Sequence, residues 1–286
     1  MTASHSGERA AHPAATHFDP LPRIIFADDF DHGLHGWTAL IGNYEKSLDS
    51  LLPEWHALRG PLLSNATMWD TGSAGALDGV YSMKLATRPE AGGMGVGIKR
   101  VTWRHAGPIQ FEAYVTLKPE ASELRLSELD VRAFGVLFDL QNEKERVMPH
   151  LRYLNALEGE TVGRWQYKKD RVPLETMGAT GKTQSHFHLS SDGWLDLPAE
   201  PQALCYNEIA TKQNWHYVRI GLDLDSMSFT AFQCNDRHYD VSGMDPMVLP
   251  AMANLYCMLN ATFFVETDCD KRAFLYVDSV VLSGDF

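Results

Sequence analysis

The sequence lacks long apolar segments and paired cysteines. No stretch approaches the ~20 apolar residues that a membrane-spanning helix needs, and residues 1–17 contain no hydrophobic region of an export signal. None of the four cysteines belongs to a Cys-x-x-Cys pair; they are Cys205, Cys234, Cys257 and Cys269. We therefore expect reduced thiols rather than a disulfide framework, together with a cytoplasmic location.

Basic charge is also scarce relative to acidic charge. The 286 residues include 25 Lys and Arg against 37 Asp and Glu, which gives a net charge of -12. This balance argues against nucleic acid or an anionic membrane surface as a partner. Because 44% of the residues are hydrophobic and 10% are aromatic, the chain can bury a sizeable core. The composition leaves a homo-oligomer open.

Helical patterns are few, and only residues 120–129 and 201–212 could hold a short helix or a helical turn. Elsewhere Gly, Pro, Asp and Asn separate short segments that read as strands. Period-2 alternation is clearest over 111–117 and 218–224, where it predicts half-buried strands. Further strands are predicted at Ile24–Phe26, Tyr81–Ala86, Ala133–Leu140, Leu151–Asn155, Arg164–Lys168, Ser228–Gln233, Leu255–Glu266 and Phe274–Leu282.

This organisation predicts an all-β fold, an antiparallel β-sandwich of two sheets, because the alternating long helices of a parallel α/β fold are missing. We expect a disordered or extended leader over residues 1–23 and one sandwich domain over residues 24–286. The glycine-rich segment Gly92–Gly97 lacks the Lys-Ser/Thr that completes a phosphate loop, and we interpret it as a flexible hairpin.

Motifs near both ends of the chain carry a family resemblance. An acidic-Phe-acidic turn at Asp29–Asp31 leads to Gly36-Trp37, and the chain closes on the strand Tyr276–Leu282. Together with Gly79–Leu85, these motifs resemble the concanavalin A-like lectins and glucanases, a superfamily that includes jelly-roll carbohydrate-binding modules. The resemblance implies a jelly roll in which the first and last strands pair antiparallel. Such pairing removes an exposed edge and ties down both termini.

The resemblance also implies a candidate structural calcium, because several such families hold one where the opening turn meets the last strand. Asp29, Asp31 and Asp278 are the matching positions, and Ca²⁺ takes six to eight oxygen ligands. The alternative is that these aspartates serve as turn residues, since Asp bonds local backbone amides. No other cofactor is expected.

A polar and aromatic region between residues 139 and 169 suggests a ligand site. A sugar site needs flat apolar surfaces and planar polar groups, and alternation places Trp165 and Tyr167 together on one strand face. We predict that the concave sheet binds a mono- or oligosaccharide through Asn43, Tyr44, Trp69, Asp139, Arg152, Trp165, Tyr167, His186 and His188. The alternative is a set of ordinary cross-strand pairs on a solvated sheet face.

His186 and His188 could also chelate a transition metal if a third ligand such as His150 or Asp192 arrived; the alternative is a solvent-facing pair. The Glu-x-Asp-x-x-Glu motif of glucanases of this fold is absent, as are a Gly-x-Ser-x-Gly elbow and a His-Glu-x-x-His motif. No catalytic residue can therefore be assigned.

The function indicated is carbohydrate-directed, either binding or processing. A processing enzyme would be a glycoside hydrolase or sugar lyase without the usual motif, resembling the 3-keto-disaccharide hydrolases and lyases that share this sandwich. The other alternative is a non-catalytic assembly protein that uses a sandwich face for interaction.

Overall fold

The computed structural model describes residues 17–39, 58–64, 75–120, 127–177, 183–188, 190–206 and 214–286. The predicted leader up to residue 16 lies outside these ranges, as do parts of both windows with helical character. The described residues contain one 3₁₀ turn, Glu128–Asp130, and no α-helix. None of them forms a helix with the length and apolar character that crossing a bilayer requires.

The described residues form twenty strands: β1 (Arg23–Asp28), β2 (Trp37–Thr38), β3 (Leu58–Arg59), β4 (Leu62–Ser64), β5 (Ser82–Ala86), β6 (Met94–Val101), β7 (Pro108–Pro119), β8 (Ala133–Gln141), β9 (Arg146–Met148), β10 (His150–Leu157), β11 (Glu160–Lys168), β12 (Leu174–Met177), β13 (Thr183–His186), β14 (Trp194–Asp196), β15 (His216–Asp223), β16 (Ser228–Cys234), β17 (Arg237–Tyr239), β18 (Met247–Leu249), β19 (Met258–Glu266) and β20 (Ala273–Gly284).

These strands build two large sheets and one separate hairpin, β12–β13. Sheet I has the order β17-β16-β15-β7-β20-β5-β4, with β1 also paired to β20. Sheet II has the order β14-β11-β10-β8-β19-β6-β2, with β9 beside β8 and β18 beside β9. Apart from the short parallel pair of β3 and β6, the pairings are antiparallel. The predicted antiparallel two-sheet sandwich is confirmed.

The core lies between the two sheets and is filled by alternate residues of their strands. Phe111 of sheet I packs on Phe138 and Phe263 of sheet II, with ring centroids 5.3 and 5.5 Å away. The predicted strand 218–224 buries Val218, Ile220 and other alternate residues in the same core. Each fully buried large apolar side chain contributes about 1.5–3 kcal/mol.

The two ends of the chain meet in sheet I, as the terminal motifs predict. Strand β1 pairs antiparallel with β20, and Asp28 lies opposite Val280. Strand β20 pairs with β5 over residues 274–277 and with β1 over residues 280–284, while β7 runs along its other side. A bulge separates the two halves where Ser279 adopts a φ of 55°.

The interpretation of Gly92–Gly97 as a flexible hairpin is wrong, because Met94–Val101 forms β6 of sheet II. A Cβ at Gly95 would lie 3.0 Å from the backbone carbonyl of Ala86. A Cβ at Gly97 would lie 3.1 Å from a methyl carbon of Leu85. The glycines are therefore needed where β6 approaches β5 of the other sheet.

Candidate functional site

The outer face of sheet II carries two rows of side chains that cross three adjacent strands. In one row Asn260 of β19 lies between Asp139 of β8 and Arg100 of β6. In the next row Thr262 lies between Leu137 and Ile98. Because side chains alternate along each strand, these residues point away from the core that their neighbours fill.

A pocket of about 480 Å³ lies on these two rows. Strand β9, residues 252–257 and His188 form its sides. Gln141 holds one side in place: its amide nitrogen donates to the carbonyl oxygens of Met252 and Leu255, and its oxygen accepts the Met252 N–H. We call this the outer-face pocket; it is lined by Ile98, Arg100, Val101, Thr102, Leu137, Asp139, Arg146, Met148, His188, Met252, Leu255, Cys257, Met258, Asn260 and Thr262.

Two charged groups of the outer-face pocket hold each other in place. Arg146 donates from Nε and Nη2 to the two carboxylate oxygens of Asp139, both at 2.8 Å. The Thr262 side chain is completely buried, and its hydroxyl has no hydrogen-bond partner among the described residues. A buried hydroxyl without a partner is a costly group, and of the two central side chains in these rows a ligand can reach that of Asn260, which is 7% exposed.

A buried basic cluster lies beside the pocket on the same face. Arg152 donates to Gln166 Oε1 at 2.6 and 3.0 Å and to Glu266 Oε2 at 3.2 Å. The ring of Trp194 covers this guanidinium, with its centroid 4.2 Å from Cζ. Lys168 Nζ donates to the carbonyl oxygens of Ser190 and Phe187, at 2.7 and 3.3 Å.

Burial and mutual repulsion shift the protonation of these basic groups. Burial, with the charge of Arg152 added, lowers the pKa of Lys168 to about 8. Burial, with the charge of Lys168 added, lowers the pKa of His150 to about 3. Burial, then His186, Arg146 and Lys168, lowers the pKa of His188 to about 3. His150 and His188 are therefore neutral imidazoles at neutral pH.

The structure brings some of the predicted ligand residues together. Asp139 and His188 line the outer-face pocket, and the ring of His186 lies 6.0 Å from that of His188. Arg152 lies on the same face but is buried beneath Trp194 in the neighbouring cluster. Three further predicted residues lie outside the described residues: Asn43, Tyr44 and Trp69.

The expectation that Trp165 and Tyr167 share a ligand face with Arg152 is wrong. In the register of β10 and β11, Trp165 lies opposite Tyr153, whereas Arg152 lies opposite Gln166. Trp165 is 4% exposed in the inter-sheet core. Tyr167 packs against the same core, and its hydroxyl donates to the Gly243 carbonyl oxygen at 3.3 Å.

Sequence reasoning missed five polar residues of the pocket: Arg100, Thr102, Arg146, Asn260 and Thr262. The signal for two of them was present, since alternation along the predicted strand 255–266 places Asn260 and Thr262 on one face. Arg100 was missed because no strand was predicted over residues 94–101, of which the first four were interpreted as part of a hairpin. Arg146 lies on a three-residue strand, which is too short to show a period.

The three aspartates predicted to hold a calcium ion accept hydrogen bonds from backbone amides. Asp31 Oδ1 accepts the N–H groups of Val80 and Tyr81 at 2.6 and 2.9 Å, and Asp278 Oδ2 accepts those of Leu77 and Asp78 at 2.7 and 3.1 Å. Asp29 Oδ1 accepts the N–H of Asp31. These contacts match the turn-residue alternative, because the carboxylates are engaged by backbone amides.

A metal site at the histidines is not formed either. Across the described parts of the chain, no three His, Cys, Asp or Glu side chains converge in a way that could hold a metal ion. This applies to His150, His186, His188 and Asp192, as it does to the three aspartates at the opening turn.

The chain belongs to the family described as "Domain of unknown function (DUF6772)", whose model matches residues 6–286. No curated protein matches the sequence.

Several solved structures are similar at low identity. "Cellulose induced protein, Cip1" is 13% identical over 91% of this chain and 97% of its own, with a TM-score of 0.43. The potassium-bound Emp46p carbohydrate recognition domain is 11% identical over 87% and 97%, with a TM-score of 0.37. Lectin UEA-II complexed with galactose is 7% identical over 79% and 93%, with a TM-score of 0.35. Structural similarities with TM-scores this low support no inference about function.

Proposed function

We propose that this member of the DUF6772 family binds a mono- or oligosaccharide in the outer-face pocket. The observation that carries the proposal is the combination of an apolar surface with convergent hydrogen-bonding groups in one pocket on a sheet face. Its volume of about 480 Å³ falls within the range of about 300–1,000 Å³ typical of small-molecule sites.

The two kinds of lining residue suit the two kinds of sugar surface. The C–H faces of a pyranose can pack on Ile98, Leu137 and Met148, while Asp139 and Asn260 provide planar groups that bond vicinal hydroxyls. No Phe, Tyr or Trp ring is among the lining residues that the structure describes. We therefore expect hydrogen bonds, rather than stacking on a ring, to orient the sugar.

Asn260 gives the sharpest test, because it lies in the middle of its row and its side chain is 7% exposed in the pocket. Asn260→Ala removes the amide that would bond the sugar. Thr116→Val is the control, because it also removes a buried polar group, but from sheet I, where the hydroxyl has no partner among the described residues.

Only Asn260→Ala should change sugar affinity, because Asn260 lines the outer-face pocket and Thr116 does not. Loss of one hydrogen bond worth about 1 kcal/mol weakens binding roughly fivefold. The measurement is a calorimetric titration with a panel of neutral hexoses and disaccharides at millimolar concentration, on the parent and both variants. Absence of binding across the panel, or equal affinities in the two variants, would contradict the proposal.

A further inference from the structure

The outer face of sheet II is basic, although the whole chain carries a net charge of -12. Two guanidinium groups, those of Arg100 and Arg146, line the outer-face pocket together with a single carboxylate, that of Asp139. The adjoining cluster adds Arg152 and Lys168. An excess of basic groups on one face of an acidic protein favours an anionic ligand at that face.

The acidic groups on this face are already shared among the basic ones. Asp139 uses both oxygens on Arg146. Glu266 Oε2 lies 3.2 Å from Arg152 and 3.8 Å from Arg132, so one carboxylate serves two guanidinium groups. Asp196 is half exposed; it accepts from Gln166 and lies 3.7 Å from Arg164.

Lys168 has no such partner. Within the described part of the chain, no carboxylate lies within 4.0 Å of its ammonium group, which donates to two backbone carbonyl oxygens. Glu266 and then Asp192 are the carboxylates that favour its charged form, and both lie beyond that distance. The charge of Lys168 therefore adds to the positive potential of the face.

The histidine at the edge of the pocket lies in the same positive surroundings. Burial lowers the pKa of His188 most, and His186, Arg146 and Lys168 lower it further. An anion in the pocket would act in the opposite direction, because it stabilises nearby positive charge.

We infer that the saccharide bound in the outer-face pocket carries an anionic substituent, a carboxylate or a phosphate, which Arg146 and Arg100 recognise. This inference rests on the proposed function. Arg146 uses Nε and Nη2 on Asp139 and directs no bond from Nη1 to that carboxylate. Arg100 lies in the same row of side chains, on the far side of Asn260. Guanidinium groups match the planar oxygens of carboxylate and phosphate groups.

The test uses three probes with one ring: glucose, glucuronate and glucose 6-phosphate, titrated calorimetrically into the full chain. We expect the anionic probe that matches the site to bind at least about tenfold more tightly than glucose, as a charge-assisted hydrogen bond allows. The two anionic arms distinguish a carboxylate ligand from a phosphate ligand. The preference should shrink at high salt.

Arg100→Gln is the test variant because its exposed side chain makes little contribution to the core. Arg104→Gln changes the net charge equally at an exposed residue that does not line this pocket. The anion preference should fall in the first variant and persist in the second. Equal affinities for glucose and both anions, or an equal loss in the two variants, would overturn the inference and leave sugar binding standing. No binding of any probe would overturn both proposals.

Discussion

Acid should destabilise this protein through His150, because the buried surroundings of this side chain disfavour protonation of its second ring nitrogen. The side chain is completely buried on the outer face of sheet II. Its Nδ1 lies 2.7 Å from the carbonyl oxygen of Met148; since a carbonyl only accepts, Nδ1 carries the proton. Nε2 has no partner among the described residues, so a proton added there would be buried unpaired beside the positive Lys168.

The size of the effect follows from the two pKa values. Burial and Lys168 lower the pKa of His150 in the folded state to about 3, from an ordinary value of 6.5. The unfolded chain therefore binds a proton that the folded state does not, and stability is lost as the pH falls from 6.5 towards 3. Between pH 7 and pH 5 this linkage lowers the free energy of unfolding by about 2 kcal/mol.

Urea denaturation of the parent and of His150→Asn at pH 7 and pH 5 isolates this loss, because burial also shifts the pKa values of His188 and Asp278, and those shifts are common to both proteins. In His150→Asn the amide nitrogen takes the place of Nδ1 as donor and does not titrate, so the variant should lose about 2 kcal/mol less than the parent between the two pH values. His238→Asn, a substitution at an exposed histidine, should lose as much as the parent. An equal loss in the parent and His150→Asn would refute the assignment of a buried neutral imidazole.

Two further predictions concern the opening turn. Gly79 has a φ of +75° and a Cβ there would lie 2.0 Å from Asp31 Oδ2, so Gly79→Ala should lower the free energy of unfolding by more than about 2 kcal/mol in urea denaturation. Gly92→Ala, at a φ of +81° with open space around it, should cost only about 1 kcal/mol. Because Asp31 and Asp278 bond backbone amides, EDTA should leave the melting temperature unchanged; a clear drop, reversed by Ca²⁺, would argue for a calcium ion at this turn.

Alternation in the sequence predicted the long strands because one face of each contributes to the core. Segments such as 111–117 and 218–224 carry a period that follows from local geometry alone. The glycines of β6 carry no such signal. They are required by the close approach of Ala86 from the other sheet, and that contact appears only when the two sheets are packed together.

Alternation also tells which residues share a face without telling which face is buried. It places Arg152 and Tyr153 on opposite faces of β10. Once the register of β10 and β11 is known, Trp165 lies on the same sheet face as Tyr153. The large aromatic ring then belongs to the core, because burial of its apolar area outweighs that of a charged neighbour. A prediction that weighed the burial of Trp165 against its use in stacking would have placed it correctly.

The arrangement of sheet II has a consequence for how its ligand specificity can change. Along β8 and β19, the core residues Phe138 and Phe263 alternate with the pocket residues Asp139 and Thr262. The buried rings pack beneath the strands and fix their backbones, so the Cα positions of the outward residues stay in register. Substituting a pocket residue therefore changes what the face recognises while the core that positions it stays intact. Asn260 is the position where this separation is clearest, because it lies in the middle of its row and directly precedes the core residue Ala261.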